Sequence, residues 1–223
     1  MPLPKKALAF TALMALAALA AVGFALHTMR PFHNYQFGIL FVLALATARL
    51  RVKLPGLTGT MIVNLPFFLI AAAQLSMLEA LLVALPSCAV QCIPKGGGKP
   101  KPLQLIFNLS TTGVAIAVAS LIGTPVAVLG AAGFFLVQTL PLACIIRLTE
   151  GGDIRKIWCG IAHYSFPFYV LSAGIASIPG SSTANLVWLV PLLGLPVLYA
   201  VYRSYQSYFR VSSVAVGSLG KMQ

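Results

Sequence analysis

Acidic residues are scarce in this chain: three Asp and Glu among 223 residues, against fifteen Lys and Arg, with charged residues of both signs making up 8%. Catalysis finds little support in that inventory. No His is paired with an acid at helical spacing, and neither the HExxH of metalloproteases nor a GxSxG nucleophile elbow occurs. No enzyme activity and no cofactor are expected. The scarcity of charge also excludes a water-soluble domain, because 59% hydrophobic residues and a mean hydropathy of +0.94 leave too little polar surface to cover a globule. Cysteine is sparse as well, at four residues. Cys88 and Cys92 share a helical face, with Cys144 and Cys159 in the same half of the membrane, in a reducing compartment that disfavours disulfides. No His or second Cys pair completes a metal set around them, so they read as small buried hydrophobes and no metal is expected.

Long apolar segments are what the chain does have. Segments of about 18 to 22 apolar residues cross a hydrocarbon core of roughly 30 Å as helices, and short loops rich in Lys and Arg stay in the cytoplasm. Fourteen of the fifteen basic residues fall before the first segment or in the gaps after alternate segments, and only Arg30 falls on the other side. The expected fold is therefore all-α, a polytopic bundle of about eight transmembrane helices in the bacterial inner membrane with both termini cytoplasmic. The net charge of +12 serves orientation and attraction to anionic lipids of the bilayer. It does not mark nucleic-acid binding, because the basic residues are spread over five edges rather than gathered on one face.

The run from Ala7 to about Ala25 exceeds the usual core of a signal peptide and reads as a retained first helix, to His27. Helix two runs from about Phe37 to the basic cluster Arg49, Arg51, Lys53. Helix three starts after Gly56 and Gly59 and reaches Gln74, and helix four runs from Met77 to Ile93 after a tight turn at Leu75 and Ser76. The glycines and prolines of segment 94–102, PKGGGKPKP, cannot sustain a helix and mark the clearest internal boundary. It joins possible halves 1–93 and 103–208 of a membrane part spanning 1–208, with 209–223 as a short tail. Helices five and six cover about Leu103–Ile122 and the return through Gly133 to Ile146. Arg147, Glu150, Asp153, Arg155 and Lys156 form a cytoplasmic loop, and helices seven and eight run from about Ile161 to Ile178 and Ala184 to Tyr202. Helices three and five both carry an Asn about one and a half turns in, a weak internal similarity of the kind transport folds repeat.

Asn64, Asn108 and Gln138 fall in the inner half of the membrane, together with Pro66, Pro86, Pro141, Pro167 and Pro196 on five helices. A helical proline removes one backbone hydrogen bond, and in lipid the freed carbonyl must find another partner. Such a kink layer supports a ligand-binding cavity lined by Asn64, Asn108, Thr111, Gln138 and His163. The alternative is that the same polar residues hold helices together, since transmembrane amides and hydroxyls bond across helices for about 0.6 kcal/mol each. Glu79 lies about one turn inside the outer end of helix four, where Arg30 is available for an outer-face ion pair; a proton-coupled or ligand-binding role is the other reading. Ala17, Ala21 and Ala25 form a small-residue stripe that permits close helix contact.

Several stretches resemble a known family. Val52-Lys53-Leu54-Pro55-Gly56-Leu57-Thr58-Gly59-Thr60 leading into Val63-Asn64, then Val90-Gln91-Cys92, Phe107-Asn108 and Ser165-Phe166-Pro167-Phe168-Tyr169, are similar to bacterial membrane-associated sensor regions of the MASE type. Those regions precede GGDEF or HD-GYP domains that make or degrade cyclic di-GMP. The similarity spans about residues 35 to 205. Gly151-Gly152-Asp153 is no such output domain, which needs well over a hundred residues. The resemblance implies a sensory input module of signal transduction, without its own output domain, that acts through a separate cytoplasmic output protein, binds an unknown small ligand and forms a homodimer. A small-solute transporter or substrate-binding membrane subunit is the alternative on the same topology.

Overall fold

The computed structural model describes residues 4–28, 31, 33–53, 60–62, 64–94, 101–122, 127–177 and 203. Among them are seven helices and one short ribbon: α1 (Lys5–His27), α2 (Asn34–Thr47), β1 (Arg51–Lys53), β2 (Thr60–Ile62), α3 (Leu65–Gln74), α4 (Met77–Cys92), α5 (Pro102–Ile122), α6 (Ala127–Glu150) and α7 (Ile154–Ser177). Arg30, Pro196, the proposed helix eight, residues 95–100 of the basic loop and the tail 209–223 lie outside the described residues.

Three helices, α1, α5 and most of α6, are long and apolar enough to cross a membrane, which supports a membrane protein. Side-chain exposure points the same way. Leu13, Leu16, Leu19, Val42, Leu121 and Val128 are each more than 60% exposed, an arrangement that lipid tails tolerate and water does not.

Side-chain contacts fix the relative directions of the helices. α1 and α5 run parallel, with the rings of Phe10 and Phe107 6.3 Å apart and Ala18 next to Gly113 further along. α5 runs against α4, since Asn108 meets Cys92 and Thr112 meets Cys88. α6 returns along α5 after four residues. α7 returns along α6, with Tyr169 packed on Phe134 and Phe135 at one end and Trp158 bonded to Thr139 at the other. α3 and α4 form a hairpin at Leu75 and Ser76. α2 runs parallel to α4, joined to it at both ends. The odd-numbered helices therefore point one way and the even-numbered ones the other.

At the centre is α3. Every residue from Leu65 to Ala72 is buried, because α2, α4, α5, α6 and α7 all pack against it. Phe67, Phe68 and Ile70 fill the middle of the bundle with Leu40, Leu81, Val83, Ile116 and Phe134.

Four expectations need correction. Helix three does not start after Gly59: β1 and β2 pair antiparallel with Arg51 opposite Ile62 and Lys53 opposite Thr60, and α3 begins only at Leu65. The ten residues of α3 rise about 15 Å, half of a hydrocarbon core. Pro66 is consequently no kink. It sits in the first turn of α3, where its missing N–H would have had no helical partner anyway, whereas Pro86, Pro141 and Pro167 do lie inside α4, α6 and α7. Asn64 caps α3 from outside while Asn108 lies within α5, so the shared Asn is not a structural repeat. On α1, finally, Ala25 is buried but Ala17 is exposed. The packed stripe runs instead through Ala7, Thr11, Ala18 and Ala25, following the 3.6-residue period.

The cytoplasmic loop expected between helices six and seven is only Gly151-Gly152-Asp153. Both glycines have positive φ, +81° and +97°, a conformation that terminates α6. Asp153 then starts α7, its carboxylate accepting from the Arg155 N–H at 3.0 Å.

Candidate functional site

Polar side chains gather at the two ends of the α2–α4 pair. At one end Ser76 caps α4, and Glu79 three residues on completes a capping box: the Ser76 hydroxyl accepts from the Glu79 N–H at 3.3 Å, and the Glu79 carboxylate accepts from the Ser76 N–H at 2.9 Å. The Ser76 hydroxyl donates to the same carboxylate at 2.7 Å. His33, the residue before α2, adds its backbone N–H and places Nδ1 3.2 Å from Oε2. Glu79 is fully buried while the His33 side chain is 47% exposed. Four donor contacts thus surround one buried carboxylate and tie the start of α2 to the start of α4.

At the other end Asn64 is fully buried. Its amide nitrogen donates to the Ala44 carbonyl of α2 at 3.4 Å, and its amide oxygen accepts from Gln91 of α4 at 2.7 Å. The neighbouring residue Cys92 accepts from Asn108 of α5 at 3.5 Å, and one turn back Cys88 accepts from Thr112 at 3.5 Å. Hydrogen bonds therefore cross from α2 through the α3 cap and α4 to α5.

Of the sequence-derived residues, Asn64 and Asn108 are brought to neighbouring positions on α4, at Gln91 and Cys92. Thr111 is buried on the same turn of α5, but its hydroxyl donates to the carbonyls of Phe107 and Asn108 within its own helix. Gln138 stands on α6 with its amide oxygen buried and, among the described residues, without a hydrogen-bond partner. His163 is exposed on α7, its ring edge-on to Tyr164 at 5.5 Å; no described hydrogen bond joins it to the other four. The described partners of Glu79 are Ser76 and His33, and Arg30 lies outside the described residues.

Gln91, Ser76 and His33 were missed as site residues. Ser76-x-x-Glu79 is a sequence signature of a helix start and was available. The partnership of Asn64 with Gln91 spans 27 residues and leaves no local signal. Among the described residues no three of His, Cys, Asp and Glu come together as a metal set.

Compared with known proteins, the chain matches no family model, no curated protein and no solved structure.

Proposed function

We propose that this chain is a multi-pass sensory input module of the bacterial inner membrane, non-enzymatic, which passes a stimulus to a cytoplasmic signalling output. The observation that carries it is the double attachment of α2 to α4. His33 with Glu79 at one end and Ala44–Asn64–Gln91 at the other couple the two helices over 11 residues of α2 and 12 of α4, about 17 Å of rise. Two parallel helices held at both ends move as one body, so a change at the His33 end shifts the Asn64 end. Asn108 on Cys92 extends that coupling to α5.

The topology completes the reading. Supporting it, the helix directions alternate, and the basic residues at the start of α1, after α2, before α5 and around the α6–α7 turn then share one side, which the positive-inside rule makes the cytoplasm. With a further helix over 184–202 this gives eight helices and both ends of the chain in the cytoplasm. The motifs similar to membrane-associated sensor regions include Asn64, Gln91, Cys92 and Asn108, four residues of the inner polar contacts, and connect the proposal to cyclic di-GMP signalling.

Native mass spectrometry of the gently solubilised protein tests it. A homodimer retaining a defined small molecule is expected, with no net flux of that molecule in proteoliposomes. A ligand-free monomer, or accumulation of the molecule inside the vesicles, overturns the sensory reading in favour of a carrier.

A further inference from the structure

The contact between α4 and α5 contains two thiols, Cys88 and Cys92, whose reactivity the sensory reading does not use. Cys88 and Cys92 stand one turn apart on one face of α4. Each sulfur receives one hydrogen bond from the facing helix, Cys88 from the Thr112 hydroxyl and Cys92 from the Asn108 amide, both at 3.5 Å. The Thr112 contact is unusual among the described residues. Thr11, Ser87, Ser110, Thr111, Thr139, Ser165 and Ser172 all donate to the carbonyl four residues back in their own helix, whereas Thr112 reaches across to sulfur.

Ligand number and softness select the chemistry. No third His, Cys, Asp or Glu joins the pair among the described residues, which leaves the tetrahedral set of a zinc site incomplete. Two thiolates suffice for a soft d10 cation, and thiolate donors favour Cu(I). Hydrogen bonds from outer partners are the feature that orients such ligands and tunes their basicity. We infer that Cys88 and Cys92 form a two-coordinate site for a soft monovalent cation of the Cu(I) class, supported from α5 by Thr112 and Asn108. The inference shares the proposed cytoplasmic placement of this end of α4 but does not rest on a sensory role.

The charge balance follows. Two thiols and one Cu(I) give a bis-thiolate complex of charge −1 and release two protons. Thr112 and Asn108 each place a donor on one sulfur, where that negative charge resides. Cys88 is 3% exposed, but Cys92, the last residue of α4, is only half-buried and gives ion and protons a way in and out. The site opens at the proposed cytoplasmic end, where copper is held as Cu(I) and thiols stay reduced.

Copper competition tests this. The full chain carrying Cys144→Ser and Cys159→Ser, in nanodiscs under anaerobic reductant, is titrated with the Cu(I)–bathocuproine disulfonate complex. Transfer of one Cu(I) per chain is expected, with X-ray absorption showing two sulfur neighbours. Cys88→Ser and Cys92→Ser should each abolish the transfer, and Thr112→Val should weaken affinity about 10-fold, the low end for loss of an outer hydrogen bond to a metal ligand. Because Cys92 is at a helix end, its variant keeps the test open where replacement of buried Cys88 disturbs folding. No transfer to the chain with both thiols intact, transfer undiminished in Cys92→Ser, or a three-coordinate copper spectrum overturns the inference.

Discussion

Glu79 shows how a carboxylate can be buried without a cation written beside it in the sequence. An ionised carboxylate only accepts hydrogen bonds, and here the donors come from Ser76 and His33. The two contributions separate by mutation. Ser76→Ala removes one cap and should cost about 1 kcal/mol. Glu79→Ala strands several donors at once and should cost about 3 kcal/mol, as hydrogen bonds to charged groups are worth more than neutral ones. His33→Ala keeps its backbone N–H on the carboxylate and should cost less than Glu79→Ala. Thermal melts in detergent give the order; an equal loss for His33→Ala and Glu79→Ala would show that the ring, not the backbone, holds the pair. Asn64 and Gln91 form the matching contact at the other end. Their coupling in a double-mutant cycle of leucine substitutions should fall between about 0.6 and 1.7 kcal/mol, the range for hydrogen bonds between transmembrane helices, and additive losses would mean that the bond contributes nothing.

Between elements, close approach depends on glycine at different kinds of neighbour. A Cβ on Gly130 would stand 3.4 Å from the Ala119 carbonyl oxygen and 3.9 Å from its Cα, whereas one on Gly133 would meet only the side-chain tips of Ile122 and Val118, at 3.1 Å. Side-chain tips can rotate away and a helix backbone cannot. Gly133→Ala should therefore cost about 1 kcal/mol, the low end for an overpacked site, and Gly130→Leu, whose atoms beyond Cβ would press on the Ala119 backbone, about 3 kcal/mol, the high end; a larger loss for Gly133→Ala than for Gly130→Leu in detergent melts would show that Ile122 and Val118 do not give way. The sequence disclosed elements unevenly. α1, α5 and α6 were legible because length and hydropathy alone identify a spanning helix. The start of α3 was not, because Thr60-Met61-Ile62 and Leu65–Gln74 are both apolar, and a short apolar run carries no period that separates strand from buried helix. A helix buried on every side has no polar face to reveal its phase, which hid the role of Pro66 as well. The stripe on α1 was misplaced for a related reason: alanine on nearly every turn offers several small-residue stripes, and only packing against α5 chooses between them.

At the scale of the whole molecule, charge and packing give two independent routes to one topology. Lys and Arg positions assign loops to sides without any structure. The contacts of Phe10, Cys88, Cys92, Tyr169 and Trp158 assign helix directions without any charge. Both place the end of α1 and the end of α6 at opposite faces of the bundle, and exposed residues occupy those positions: Thr28 just beyond α1 and Glu150 as the last residue of α6. In a chain whose four cysteines are replaced by serine, Thr28→Cys should react with a membrane-impermeant maleimide on intact cells. Glu150→Cys should react only after the membrane is opened. Labelling in the opposite pattern would keep the alternation of helices but invert the chain in the bilayer, so that charge had misled; labelling of both from outside would break the alternation itself. The two failures differ because orientation rests on Lys and Arg alone, while alternation rests on hydrogen bonds and ring contacts that do not change when the chain is turned over.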